Sequence, residues 1–354
     1  MNSLTIVLAL ATVVIGAAGS AWFFFLYKPQ KTPRTDNLYT EALNAMVRVD
    51  KAKAVRLLRD VVKLDSDHVD AYLQLGNILR DDNPQQAVKI HQTLTVRPNL
   101  PIEIQADIHQ ALALDYETLD NPVRARKEAE QILRLDKRNQ WAVEFLLALA
   151  EQERNWDEAA DRARQLQKFS GTQDPNELAR YMVFKGLERI KKGHKEEARS
   201  FFEKAMKQAP EFGLPYRYLG DVYAESRDLV KAVENWERFA ELSPGNVSMV
   251  FSDIESALFD LGRYSEVENF YRRVLDKNPN NLEAVIKLAN VLEEKGEHQV
   301  ALALVEGSIQ PDNVEIAALI MKLKLSLSIS TPVELGHQID KILEHLHKTS
   351  NNEA

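Results

Sequence analysis

Three histidines near the carboxyl end, His337, His345 and His347, come closest to forming a local metal-binding group. Ligands on one helix must share a face, which requires spacings of three or four residues. His345 and His347 are two residues apart and therefore point to different sides of a helix. We interpret these histidines as solvated polar residues of a terminal helix, and we expect no metal site.

Adjacent acidic residues could in principle form a catalytic carboxylate pair or a calcium loop. Glu196 and Glu197, like Glu293 and Glu294, lie close to lysines, a pattern typical of exposed helix faces. The segment 81–83 (Asp-Asp-Asn) lacks the glycine and the final glutamate that a calcium loop needs. These residues are interpreted as helix surface and as a turn between helices.

The motifs of common catalytic and phosphate-binding sites are missing from the sequence. It contains no G-x-G-x-x-G loop, no G-x-x-x-x-G-K-[ST] loop, no H-E-x-x-H and no G-x-S-x-G. None of the 354 residues is a cysteine, which excludes disulfides, cysteine-based zinc sites and thiol catalysis. The net charge of −8 and the lack of a dense basic run argue against nucleic acid as a partner. The sequence therefore predicts a protein that is not an enzyme, with no cofactor.

The amino-terminal segment LTIVLALATVVIGAAGSAWFFFLY (4–27) has 24 residues and no charge. A helix of that length reaches about 36 Å, enough to cross a hydrocarbon core of about 30 Å. A cleaved signal peptide is the alternative, because GAAGSA resembles a cleavage region. No Lys or Arg precedes the apolar run, however, and the run continues through Phe23, Phe24 and Phe25. We predict an uncleaved transmembrane helix over 4–27.

A basic linker is expected over 28–36, directly after the apolar segment. Lys28, Lys31 and Arg34 follow the predicted span, and only the α-amino group precedes it. Loops rich in Lys and Arg remain on the cytoplasmic side of a membrane. The charge pattern therefore places the rest of the chain in the cytoplasm.

The body of the sequence repeats itself with a period close to 34 residues. Pro210, Pro244 and Pro279 are 34 and 35 residues apart, and each follows a helical pattern. Small or branched apolar residues recur at the same period, at Ala54, Ala87, Ala125, Ala159, Ala198, Ala232, Val267 and Ala301. The pattern Y-x-x-L-G-x-x-Y over 216–223 resembles the first helix of a tetratricopeptide repeat.

This period predicts an all-α fold, a tetratricopeptide-repeat α-solenoid. A single helix pair cannot bury its apolar face alone, so each pair must stack on its neighbours. We expect about eight helix pairs over 37–310, with irregular loops near 97–102 and 169–176. Capping helices are expected over 311–348, as 313–329 and 332–348, and a polar tail over 349–354.

A solenoid of this type has a concave face, lined mainly by first helices, that suits peptides and proteins. Polar residues on the first helices are candidates for this binding surface, and a solvated helix face is the alternative for each of them. The candidates are Asn77, Arg80, Arg217, Asp221, Ser256 and Asn290. The repeated Lys/Asn pattern that clamps a terminal carboxylate is absent, so we do not expect that ligand.

Two segments carry a more specific resemblance: AYLQLGNILRDDNPQQAVKIHQTL (71–94) and YTEALNAMVRVDKAKAVRLLRDVVKLD (39–65). With the apolar segment and the repeats, they resemble the lipopolysaccharide assembly protein B family. This resemblance implies a non-enzymatic adaptor at the bacterial inner membrane. It also implies a link to lipopolysaccharide supply, with an FtsH-like membrane protease and an LpxC-like enzyme of lipid A synthesis as partners.

One feature of that family is missing from this sequence. Its members end in a rubredoxin-like module whose two C-x-x-C pairs hold a metal, and this chain has no cysteine. No metal-binding residue is therefore carried over. We expect a single-pass inner-membrane scaffold with a cytoplasmic array; the alternative is an envelope assembly factor or chaperone-like protein whose array is periplasmic.

Overall fold

The computed structural model describes residues 33–309, 315–327 and 329–352. In this part of the chain every regular element is helical, with 18 α-helices and one 3-10 helix. The predicted all-α class is confirmed. The chain divides into two compact units, Met1–Glu153 (unit 1) and Arg154–Ala354 (unit 2).

Unit 1 contains seven described helices, each packed against the next one in the chain. They are α1 (Pro33–Val47), α2 (Lys51–Leu64), α3 (Val69–Leu79), α4 (Pro84–Thr95), α5 (Ile102–Thr118), α6 (Pro122–Leu135) and α7 (Gln140–Gln152). Helix α1 begins inside the segment 28–36 that the sequence predicts as a linker, because Pro33 has a fixed φ that suits the first turn of a helix.

Unit 2 contains the other eleven α-helices and the 3-10 helix. They are α8 (Trp156–Ser170), α9 (Pro175–Lys191), α10 (Lys195–Gln208), α11 (Gly213–Glu225), α12 (Leu229–Leu242), the 3-10 helix (Pro244–Val250), α13 (Phe251–Asp260), α14 (Tyr264–Lys277), α15 (Leu282–Glu294), α16 (His298–Ser308), α17 (Ile316–Ser326) and α18 (Pro332–Asn352). Helix α18 extends into the segment 349–354 that the sequence predicts as a tail.

The predicted membrane helix 4–27 lies outside the described residues. Among the described helices, none is both long enough and apolar enough to cross a bilayer. Residues 310–314, at the predicted start of the capping region, also lie outside the described part of the chain.

The small residues of the repeat pattern form the contact between the two helices of a pair. Ala54, Ala87, Ala198 and Ala232 are each fully buried on a second helix. Without a larger side chain, the two backbones can approach closely. The next turn of each second helix then places a large side chain in the core, as Phe202 and Trp236 do in unit 2.

Hairpin turns within the pairs share one backbone feature. A residue with positive φ comes directly before the N-terminal cap of the second helix, which is a common way to end the first helix. These residues are Val49, Asp120, Arg154, Gly193, Arg227, Gly262 and Gly296. Val49 is the unusual member, because a β-branched side chain at φ 60° is strained.

We expect Val49→Gly to raise the free energy of unfolding by about 1 kcal/mol, because a left-handed conformation costs an L-residue about 1–2 kcal/mol. The reciprocal change, Gly262→Val (φ 69°), should lower it by a similar amount. Urea denaturation of the purified chain measures both. If Val49→Gly were destabilising, the strain assigned to this turn would be wrong.

Candidate functional site

The six residues proposed from the sequence all lie on, or directly after, the first helix of a pair. Asn77 lies on α3 and Arg80 follows that helix, so these two belong to unit 1. The other four lie in unit 2: Arg217 and Asp221 on α11, Ser256 on α13 and Asn290 on α15. The structure therefore divides them between two surfaces, one on each unit.

In unit 1, Arg80 connects two successive first helices, α3 and α5. Its Nε donates to Asp115 Oδ1 at 2.7 Å, and its Nη2 donates to Asn77 Oδ1 at 2.7 Å and to the Ala111 carbonyl at 3.3 Å. The Arg80 side chain is only 17% exposed. Most of its hydrogen-bonding capacity therefore holds the layers together, and Asn77 is fixed beside it.

Beneath Arg80 lies a buried His–Asp pair that the sequence interpretation missed. His91 Nδ1 is 2.5 Å from Asp115 Oδ2, and His91 Nε2 is 3.1 Å from the Leu73 carbonyl oxygen. Both side chains are fully buried. Because a carboxylate and a carbonyl both accept hydrogen bonds, the imidazolium form of His91 satisfies both contacts. Asp115 then lies between two cations.

The sequence did contain a signal for this pair. His91 follows Ala87 by four residues, as Phe202 follows Ala198 and Trp236 follows Ala232. A histidine therefore occupies a position that is aromatic and buried in other layers. Such a polar group must find partners in the core.

In unit 2, Arg217 makes a corresponding connection between α11 and α13. Its Nη1 contacts Asp221 Oδ1 and its Nη2 donates to Asp253 Oδ2 at 2.9 Å. Asp221 Oδ1 also accepts from Trp236 Nε1 at 3.0 Å, which ties the surface pair to the core. Arg217 and Asp221 are thus brought into one cluster, together with Asp253, which the sequence interpretation missed.

Ion pairs and hydrogen bonds join the later layers of unit 2 in the same way. Lys287 on α15 contacts Glu255 on α13 at 2.7 Å, and Glu255 also accepts from the Tyr271 hydroxyl at 2.8 Å. Burial, and then this carboxylate, raise the pKa of Tyr271 well above its usual value. Lys324 on α17 donates to Asn290 Oδ1 at 3.0 Å. No hydrogen bond or ion pair of the described residues joins Ser256 to these groups, and it remains exposed.

These contacts produce two ordered polar surfaces built on first helices. Polar groups held by neighbouring layers lose little side-chain entropy when they bind a partner. The arrangement offers hydrogen bonds and charge to a peptide or protein segment.

Close packing beneath this surface depends on Gly220. A Cβ atom at this position would lie 2.3 Å from the Trp236 ring. We expect Gly220→Ala to lower the free energy of unfolding by about 1–3 kcal/mol through overpacking. Gly307→Ala, in α16, is the matched control: nothing lies within 4 Å of its added Cβ, so alanine should be neutral or stabilising by up to about 1 kcal/mol. Equal effects in urea denaturation would contradict the packing assigned to Gly220.

Comparison with known proteins places the repeats in a recognised class. Residues 179–212 and 258–323 each match a model of the tetratricopeptide repeat. The first segment covers α9 and α10, and the second extends from α13 to α17. Both segments lie in unit 2.

Curated relatives cover most of the chain. Lipopolysaccharide assembly protein B of Escherichia coli K12 is 24% identical over 284 residues, which are 80% of this chain and 73% of that protein. The resemblance to that family is confirmed. The Haemophilus influenzae protein of the same name is 25% identical over 75% of this chain and 69% of its own length. The partial cover of both relatives fits the lack of a cysteine-based module in this sequence.

A third relative has a different printed role. The type IV pilus assembly protein PilF of Pseudomonas aeruginosa is 27% identical over 179 residues, which are 49% of this chain and 66% of that protein. The named relatives are thus two lipopolysaccharide assembly proteins and one pilus assembly protein. This chain resembles proteins of envelope assembly that share repeat sequence with it.

Proposed function

We propose that this chain is a membrane-anchored protein-interaction scaffold of the bacterial inner membrane that acts in lipopolysaccharide assembly and in the control of its synthesis. The observation that carries the proposal is the row of polar side chains on successive first helices, held in place by contacts between layers. Arg80 with Asp115 and Arg217 with Asp253 are its clearest members. The resemblance to lipopolysaccharide assembly protein B supplies the biological process.

The mechanism is tethering, and no bond is made or broken by this chain. The segment 4–27 anchors the protein, and the linker after it keeps the repeats on the cytoplasmic side. Partners bound on the concave face then have a raised local concentration near other membrane proteins. An FtsH-like membrane protease and an LpxC-like enzyme of lipid A synthesis are the proposed partners.

Affinity purification of the full chain from membranes, followed by mass spectrometry, tests this function. We expect a membrane protease and an enzyme of lipid A synthesis to be recovered. A Ser256→Arg variant places a large cation on the exposed part of the first-helix surface and should lose them. Asn269→Arg, on exposed α14, is the control and should retain them. Recovery of periplasmic proteins alone would contradict the proposal.

The match to a pilus assembly protein favours one alternative, an envelope assembly factor or chaperone-like protein with a periplasmic array. This alternative requires the opposite membrane orientation. Alkaline phosphatase fused to the carboxyl end is active only outside the cytoplasm. We expect an inactive fusion, and an active one would replace the cytoplasmic model with the periplasmic one.

A further inference from the structure

Helix α2 has a cationic outer face. Its buried residues Ala54, Leu57, Leu58 and Val61 lie on one side of the helix. At 100° per residue, Arg56, Arg59 and Lys63 fall together on the opposite side, and all three are exposed. Within the described residues, none of these three cations forms an ion pair. They form an unneutralised positive stripe on a chain whose net charge is −8.

The acidic residues around this stripe are engaged elsewhere or lie beside it. Asp50 caps α2 by accepting from the Lys53 backbone N–H at 3.0 Å. Asp81 and Asp82 both contact Lys51, at the start of the helix. Asp60 is half-buried on the flank of the helix. The stripe therefore keeps its positive potential.

The charge at these three positions is particular to α2. Aligned on the buried alanine of the repeat, Ala54 corresponds to Ala232 on α12. The positions of Arg56, Arg59 and Lys63 then correspond to Glu234, Glu237 and Glu241. The repeat fold therefore does not require cations at these positions, since α12 has glutamates there.

The turn that leads into α2 adds exposed apolar side chains. Val47 is 83% exposed and Val49 is 86% exposed, with the exposed Arg48 between them. Val49 also holds the strained left-handed conformation of the turn. Exposed apolar residues next to a cationic helix face are typical of surfaces that lie at a bilayer interface.

We propose that the outer face of α2, with the turn Val47–Val49, binds the anionic lipid headgroups of the membrane that the segment 4–27 anchors. Only residues 28–50 separate that segment from α2, so the face is within reach of the bilayer. The cations contact headgroup phosphates, and the valines contact the apolar boundary beneath them. Bound in this way, the first hairpin fixes the orientation of unit 1 on the membrane. This inference rests on the proposed function, because it assumes the anchor.

Lipid is favoured over the other anionic or charged partners of such a stripe. Nucleic acid binding needs several phosphate contacts along an extended basic track, and this one is a single helix face with apolar neighbours. A second copy of the chain could place its acidic α12 here, but this would leave Val47 and Val49 unexplained. Both occupants are treated as outcomes of the experiment.

Fluorescence quenching in vesicles tests the contact. The chain has no cysteine, so Ala52→Cys, on the same exposed face of α2, gives a unique site for a fluorophore. Asn269→Cys, at the repeat position of Arg56 on α14, is the control. The full chain is reconstituted into vesicles of phosphatidylcholine with or without phosphatidylglycerol. Each contains phosphatidylcholine with a nitroxide on its headgroup.

We expect strong quenching at position 52 in the phosphatidylglycerol vesicles, and weak quenching there in pure phosphatidylcholine. Position 269 should show weak quenching in both. Combined Arg56→Gln, Arg59→Gln and Lys63→Gln replacements, which are mild surface changes, should shift the docked-to-undocked ratio by roughly a hundredfold. Salt at 0.5 M should have the same direction of effect, roughly as strong screening predicts.

Flotation of the same samples separates this inference from the anchor. A chain that floats with both vesicles but shows equal quenching at 52 and 269 retains the anchor and overturns the lipid contact. A chain that floats only with phosphatidylglycerol supports the contact and contradicts the anchor. Concentration-dependent quenching without lipid would assign the face to a second copy, and displacement by duplex DNA would assign it to nucleic acid; either would overturn the proposal.

Discussion

Replacing Asp115 with asparagine is expected to lower the stability of unit 1 by about 3–5 kcal/mol. The carboxylate lies fully buried between Arg80 Nε at 2.7 Å and His91 Nδ1 at 2.5 Å. An amide of nearly the same size removes the negative charge and leaves two cations without their common partner. The cost is large because a buried charge that loses its partner keeps its desolvation penalty.

Asp107→Asn, on the same helix, is the matched control for this prediction. Partial burial and the nearby charge of Asp70 raise the pKa of the Asp107 carboxyl, so its ionised form is not stabilised by the fold. The change should be neutral within about 0.5 kcal/mol. Hydrogen–deuterium exchange should show lost protection in α3, α4 and α5 for Asp115→Asn only. Equal protection in both variants would contradict the buried network.

Trp236→Ala is the second large effect, with an expected loss of about 3–5 kcal/mol in unit 2. The ring is 3% exposed and packs against the backbone of Gly220, where no side chain could replace it. Its removal leaves a cavity between α11 and α12. It also removes the hydrogen bond that holds Asp221, so the polar surface should loosen together with the core.

Trp236→Phe separates the two contributions. Phenylalanine already occupies this repeat position at Phe202, where it packs against Gly186 in the same way. Most of the core contact should therefore be retained, and the lost hydrogen bond to Asp221 should cost about 1 kcal/mol. Urea denaturation measures the stability of both variants. A phenylalanine variant as unstable as the alanine variant would assign the effect to the hydrogen bond and contradict the packing account.

The helical layers were predictable because their chemistry repeats. The prolines Pro210, Pro244 and Pro279 each follow the end of a second helix, at Gln208, Leu242 and Lys277. Local periodicity fixes such features, since each layer meets the same packing requirement. The 3-10 helix Pro244–Val250 was not predicted. The sequence PGNVSMV has Pro and Gly at its start, and α13 begins only after it.

The contacts of the candidate site were harder to predict, because they join residues from different layers. Arg80 and Asp115 are 35 positions apart, and their meeting depends on how α5 packs on α3. Polarity on a first helix identified Arg80 and Arg217, but it could not show that both would link neighbouring layers. The basic stripe of α2 was also hidden: Arg56, Arg59 and Lys63 are separated in sequence and form a patch only on a helix face.

Site-specific photocrosslinking in intact membranes tests the central claim, that the first-helix surface captures protein partners. A photoreactive residue at Ser256 lies on exposed α13, and one at Asn269 lies on exposed α14, a second helix. We predict crosslinks from position 256 to a membrane protease or an enzyme of lipid A synthesis, and none of these from position 269. Crosslinks to those partners from position 269 alone, or from neither position, would contradict the account.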